Sequence, residues 1–327
     1  MIAFGPVPSR RLGRSLGINN VPPKICTYSC IYCQLGRTIT MQLERQPFYE
    51  PETVLAGLRD KVEASRDRGE TIDYVTLVPD GEPTLDLNLE TEIEELKELG
   101  IKVGVISNAS LVWDEAVRQA LSRADWVSLK VDAASEKTWK RVNRPHGRLD
   151  LETIQEGMLA FAEGYQGVLA TETMLVAGVN DGEDVVREVA QFLARLKPDC
   201  AYVAIPTRPP AEPWAHAPDE EAINRAYQII SQRVDHAEYL IGYEGTAFAS
   251  TGDVKDDLLS ITSVHPMRED AVRDFLARAD ADWTVIQGLL REERLVEVEH
   301  GGHRFYLRKL DRHPQRESYM MPCPGDL

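Results

Sequence analysis

Cys26-Thr27-Tyr28-Ser29-Cys30-Ile31-Tyr32-Cys33 sets three thiols in a C-x3-C-x2-C spacing. Three thiolates can hold three irons of a cubane [4Fe-4S] cluster and leave the fourth iron without a protein ligand. An iron with a vacant position is a place for chemistry, not only a store for an electron. Two other readings compete. Structural zinc wants four closed ligands, and the fourth would have to be Cys200, Cys323 or one of seven histidines, none of which has a paired zinc-ribbon spacing beside it. A ferredoxin-like cluster would need Cys200 or Cys323 to fold onto the loop. Five cysteines, an odd number with three crowded together, suit a reducing compartment better than a disulfide framework.

Around this stretch the hydrophobic pattern is that of an α/β protein. A strand is expected at Ser15-Leu16-Gly17-Ile18-Asn19, then a connection of about thirty residues that holds the cysteines, then a helix from Pro51 with Val54, Leu55, Leu58 and Val62 on one face. Strands are expected at 72–78, 101–107, 125–131, 168–177 and 200–206. The intervening helices include one from Trp113, one capped by Asp150 and one from Asp219. Six βα units of this kind predict repeated strands of a parallel sheet. The cysteine connection far exceeds the two to six residues usual between strand and helix, which marks it as functional. After residue 250 the rhythm changes. Pro266 starts a helix carrying Ala271, Val272, Phe275 and Leu276, and Asp282 caps another with Val285, Ile286, Leu289 and Leu290. Two alternating segments, 295–299 and 304–308, are joined through Gly301-Gly302, a hairpin signal. The expected organisation is a large domain over 1–250 with the cysteine loop at 20–50, a winged-helix domain over 260–312, and an irregular tail over 313–327.

The 327-residue chain has a net charge of −16. Up to Arg45 it carries six basic residues against Glu44 alone, so the remainder is strongly acidic. A polyanion repels nucleic acid in general, and any RNA contact must be local. No run of about eighteen apolar residues and no signal-peptide pattern is present, so no membrane association and a cytoplasmic location are expected.

The cysteine spacing, with aromatic Tyr32 just before the last cysteine, resembles the signature of the radical S-adenosylmethionine (SAM) superfamily, and the resemblance covers about the first 245 residues. It implies a partial (β/α)6 TIM-type barrel and a [4Fe-4S] cluster on Cys26, Cys30 and Cys33. The open iron would chelate S-adenosylmethionine, which is cleaved to a 5′-deoxyadenosyl radical with an electron from a donor such as a ferredoxin or flavodoxin. Asp80-Gly81-Glu82 resembles the family's Gly-Gly-Glu motif, in which Gly81 and Glu82 would receive the methionine ammonium. By the same resemblance Tyr32, Ser107, Asn108, Ser128 and Lys130 are cofactor contacts, and Gly178 would allow backbone to approach the adenine. From the residues themselves, Asp80-Gly81-Glu82-Pro83 also reads as a turn, and Lys130 as the ion-pair partner of Asp132 or Glu172. Asp181, likewise, reads as a helix cap.

The stretches Pro6-Val7-Pro8-Ser9-Arg10-Arg11-Leu12-Gly13-Arg14 and Pro206-Thr207-Arg208-Pro209-Pro210 are similar to those of wyosine-synthase-like, tRNA-modifying members of that superfamily. This implies oxidation of a tRNA base, with Arg10, Arg11, Arg14 and Arg208 receiving phosphate or carboxylate. A peptide or small metabolite is the alternative substrate. A zinc-stabilised winged-helix binding protein without catalysis is the alternative from another class. From Ser263 onward ten basic residues face twelve acidic ones, so the C-terminal region has no uniform basic face. Cys200, at the start of a strand, reads as a buried structural thiol.

Overall fold

The computed structural model of the protein describes residues 2–241, 248, 253–264 and 266–309. The expected tail at 313–327, with Cys323, lies outside them. An antiparallel hairpin of β1 (Ala3–Ser9) and β2 (Gly13–Ile18) opens the fold, and two short strands, β3 (Ile25–Cys26) and β4 (Thr40–Met41), pair within the cysteine loop. There follow α1 (Pro51–Asp67), β5 (Tyr74–Leu77), α2 (Leu89–Lys97), β6 (Lys102–Ser107), α3 (Glu115–Leu121) and β7 (Trp126–Lys130). The series continues with α4 (Glu136–Val142), α5 (Leu151–Gly164), β8 (Val168–Met174), α6 (Glu183–Leu196), β9 (Cys200–Ala204), α7 (Glu220–Ser231) and β10 (Ala237–Leu240). The C-terminal part holds α8 (Val254–Val264), β11 (Met267–Arg268), α9 (Glu269–Arg278), α10 (Thr284–Arg291), β12 (Leu295–His300) and β13 (His303–Arg308).

The main sheet runs β1-β2-β5-β6-β7-β8-β9-β10 and curls into a half-barrel. Every neighbouring pair from β2 to β10 is parallel, so the loops after these strands gather at one rim. Local sequence explains the helices. Pro51 occupies the first turn of α1, and Val54, Leu55, Leu58 and Val62 are buried as their spacing predicts. Asp150 caps α5 by accepting from Thr153 N at 2.8 Å, and Asp219 caps α7 by accepting from Ala222 N at 2.8 Å.

Two strands of the main sheet were not legible. β1 contains Pro6 and Pro8, which read as strand breakers, yet it lies on the sheet edge, where a missing N–H costs no ladder bond. β10 is four residues long with no fully buried position, so it leaves little apolar signal. The C-terminal part differs from expectation at its start. Pro266 precedes strand β11, which pairs with β13, and the helix begins at Glu269. α8, before the expected boundary at 260, contributes Leu258, Leu259 and Ile261 to the same core as Phe275, Ile286 and Tyr306. The hairpin prediction holds: Gly301 and Gly302 both take positive φ, 55° and 75°, between β12 and β13. This second core meets the main sheet through Val7 of β1. No helix among the described residues is long and apolar enough to cross a membrane.

Candidate radical SAM active site

The cysteine loop is held to the barrel rim at several points. Ser29 N donates to Asn143 O at 3.1 Å, Ile31 N to Val142 O at 3.0 Å and His146 N to Thr27 O at 2.9 Å, which stitches the loop to the end of α4. Trp139 of α4 donates to the Tyr28 hydroxyl at 3.2 Å. Arg37 grips Glu212 with two bonds of 2.9 and 3.0 Å, Arg144 joins the same carboxylate, and Glu212 N donates to Ile31 O at 2.9 Å. A forked arginine on a carboxylate fixes geometry as well as charge. Glu212 thereby anchors the segment after β9 to the cysteine loop.

Asp80-Gly81-Glu82, after β5, lies directly beneath this loop. A Cβ on Gly81 would stand 2.0 Å from the Ile25 carbonyl oxygen, so only glycine permits the approach. Glu82 N donates to that same carbonyl at 3.2 Å. The buried Glu82 carboxylate accepts from Thr84 N (3.1 Å), Thr84 Oγ1 (2.6 Å), Ser107 Oγ (2.7 Å) and Asn108 N (2.8 Å). Three of these bonds fall on Oε1 and one, from Asn108 N, on Oε2, which keeps an acceptor position. Glu82 therefore locks the rim segments after β5 and β6 together. Asn108 in turn directs Nδ2 at Cys26 Sγ, 3.4 Å away, and Asn143 directs its own Nδ2 at Cys30 Sγ, also 3.4 Å.

A cavity of about 340 Å³ is lined by Cys26, Cys30 and Cys33 together with Arg11, Lys130 and Arg208. Tyr32, Gly81, Glu82, Ser107 and Asn108 line it as well. Two residues expected there do not. Ser128 is wholly buried in the sheet, its hydroxyl without a hydrogen-bond partner among the described residues. Gly178 sits in a turn with φ of 68°, its N–H held by Asp181 at 2.8 Å, and nothing lies within 4 Å of its missing Cβ. Its positive φ suits glycine, and Asp181 closes this turn instead of capping α6.

Charge in the cavity centres on Glu172. Lys130 Nζ donates to it at 2.7 Å, Arg11 pairs with its other oxygen, and Arg208 adds to the positive field. Burial would raise this carboxyl, but the cations overcome it and hold the group down at about 2. Burial also works against the Lys130 charge, yet Glu172 and Asp132 keep its ammonium above the ordinary lysine value. Lys130 lies 4.9 Å above the Tyr32 ring, and the Tyr32 hydroxyl donates to Asp132. Asp132 also accepts from Asn143 Nδ2 at 2.7 Å and Met174 N at 2.8 Å. It is thus a fixed hub between loop and sheet. Burial pushes up all three cluster-loop thiols, Cys30 to about 12 with Asp132 adding to the effect.

The spacing of those thiols separates the metal readings. A single zinc holds sulfurs at about 2.3 Å, hence about 3.8 Å from each other. Among the described residues the donor groups that close to within 4.8 Å do not include Cys26, Cys30 and Cys33 together. Three thiols that line one cavity without closing to within 4.8 Å of one another suit a cubane, which gives each its own iron.

Residues 20–193 match the radical SAM superfamily. The chain belongs to this superfamily. A UPF0026 protein of Methanocaldococcus jannaschii is 42% identical over 311 residues, spanning 94% of this chain and 96% of its own length. The fold is also that of a radical SAM methyltransferase from Sphaerobacter thermophilus (TM-score 0.53, 16% identity, 69% of this chain and 66% of that one). A structure of TYW1 with a lysine-pyruvate adduct bound is similar to the same extent (TM-score 0.52, 16% identity, 68% of this chain and 74% of that one). Radical SAM proteins use a [4Fe-4S] cluster and S-adenosylmethionine, and this chain is an enzyme of that kind, which removes the non-catalytic zinc-protein reading.

Within the radical SAM site, Glu212 and Asn143 were missed from sequence. Their only signals were an isolated acid in a proline-rich stretch and an asparagine after a helix, neither of which names a partner. The Glu172 centre yields a prediction. Glu172→Gln leaves Lys130 and Arg11 buried without their shared counter-charge and is expected to cost about 3–5 kcal/mol of stability, read by denaturant unfolding at neutral pH. The folded carboxyl is depressed below its ordinary 4.5, so its contribution is present above that value and is lost as pH falls towards about 2. The difference between wild type and variant should therefore narrow in acid; an unchanged difference at low pH would remove the ion-pair account.

Proposed function

We propose that Cys26, Cys30 and Cys33 hold three irons of the cluster and that the enzyme oxidises an anionic substrate, a tRNA nucleotide, in the adjoining cavity. Bound there, the cluster would supply the electron that cleaves S-adenosylmethionine to a 5′-deoxyadenosyl radical. Around it, the Gly81 backbone, Ser107, Asn108, Tyr32 and Lys130 bound the space for the cofactor. The observation that carries the substrate class is the donor set of the cavity, where Lys130, Arg11 and Arg208 lie together in the lining with Glu172. Ammonium and guanidinium groups gathered at one cavity suit a ligand that brings a phosphate or carboxylate. Such a local site is how an acidic protein could engage RNA.

The C-terminal part is read as a winged-helix module, with α9 and α10 as its helices and the β12–β13 hairpin as its wing. The His300 imidazole at the hairpin tip lies near Pro206 and His216, in the segment after β9. The wing would thus present bound RNA to the rim rather than to a separate surface.

The test has two stages. Reduced, anaerobically reconstituted protein given S-adenosylmethionine should release 5′-deoxyadenosine, measured by chromatography. Total tRNA from cells lacking the protein should then miss one modified nucleoside by mass spectrometry. Release of 5′-deoxyadenosine with an unchanged nucleoside profile would keep the enzyme class and overturn the RNA substrate.

A further inference from the structure

The parallel sheet has a second rim, away from the cysteine loop, where β9 and β10 begin. Ala201 pairs with Ala237, and Ala201 N donates to His236 O at 2.9 Å, which sets Cys200 beside His236. Side chains alternate along a strand, so Glu238 falls on the same face as His236. A Cys200 sulfur, a His236 ring nitrogen and a Glu238 carboxylate oxygen lie within 4.8 Å of one another. His236 Nε2 is 2.7 Å from Glu238 Oε1, so the ring is already oriented by the carboxylate. Cys200 is buried, whereas the His236 and Glu238 side chains are 57% and 47% exposed. An ion could therefore reach the sulfur from solvent without passing through the cofactor cavity.

We propose that Cys200, His236 and Glu238 form a second metal site that binds a zinc ion, with water as the fourth ligand. The donor set selects the ion. Thiolate and imidazole suit zinc, while magnesium and calcium prefer oxygen ligands alone. Three protein ligands with one water is a known zinc arrangement. On binding, the Cys200 thiol releases its proton to solvent, and the ion takes the place of the proton shared by His236 and Glu238. The ion adds a side-chain tie between β9 and the start of the short edge strand β10. It takes no part in the radical chemistry at the opposite rim.

The experiment measures zinc and iron together by elemental analysis after cluster-loaded protein is dialysed against zinc chloride and then against metal-free buffer. The expected result is one zinc per chain beyond the irons, lost in His236→Ala and in Glu238→Gln while iron content stays the same. Both substitutions fall on exposed side chains, so folding is preserved. A second measurement titrates cobalt chloride into the full chain carrying Cys26→Ala, Cys30→Ala and Cys33→Ala together. A thiolate-to-cobalt absorption band should appear and vanish on adding Cys200→Ser. No tightly held zinc in the wild type, full zinc in either exposed variant, or a cobalt spectrum indifferent to Cys200→Ser would each overturn the site.

Discussion

Anaerobically reconstituted Cys30→Ala protein is expected to show no [4Fe-4S] absorption and to release 5′-deoxyadenosine from S-adenosylmethionine only at background. Three thiolates are the least that leave one iron of a cubane open, and with Cys30 gone two irons lack protein sulfur. Neighbouring groups cannot replace it. Asn143 Nδ2, 3.4 Å from Cys30 Sγ, is a donor and not a ligand, and Asp132 is occupied by Tyr32, Asn143 and Met174. Cys26→Ala and Cys33→Ala should behave alike. Full iron content with undiminished turnover in any one of the three would remove the cubane assignment.

The second large effect is expected of Gly81→Ala. The added methyl would stand 2.0 Å from the Ile25 carbonyl, backbone against backbone, with no flexible side chain to yield. Overpacking of this kind typically costs about 1–3 kcal/mol. Here the displaced atoms belong to the residue just before Cys26, so relief of the clash moves the loop that carries the cluster. Thermal unfolding should shift down, and iron retained after reconstitution should fall well below the wild-type value. Gly178→Ala is the control: its φ of 68° makes alanine strained, but nothing lies within 4 Å of the new methyl. That variant should lose some stability and keep its iron. Equal iron loss in both would show a general folding defect and not a specific effect on the loop.

The sequence by itself determined the chemistry's centre and the rhythm of the fold. Cys26, Cys30 and Cys33 are close in the chain, so their spacing alone implies a shared metal. The apolar periods of α1 or β6 depend on residues a few positions apart and can be read without a partner. Edge strands β1 and β10 escaped because their signal is weak where one side of the backbone faces no neighbour.

Tertiary structure alone decided how the residues are used. Glu82 reads locally as a turn acid or a cofactor contact; the anchoring of its carboxylate depends on Ser107 and Asn108, some 25 residues on. Glu172 becomes the centre of the cavity only because β8 lies beside β7 and the β1–β2 hairpin brings in Arg11. Glu212 grips Arg37 across 175 positions of chain. A periodic pattern is set by neighbours along the chain, whereas the partner of a buried charge is set by which strands the sheet makes adjacent.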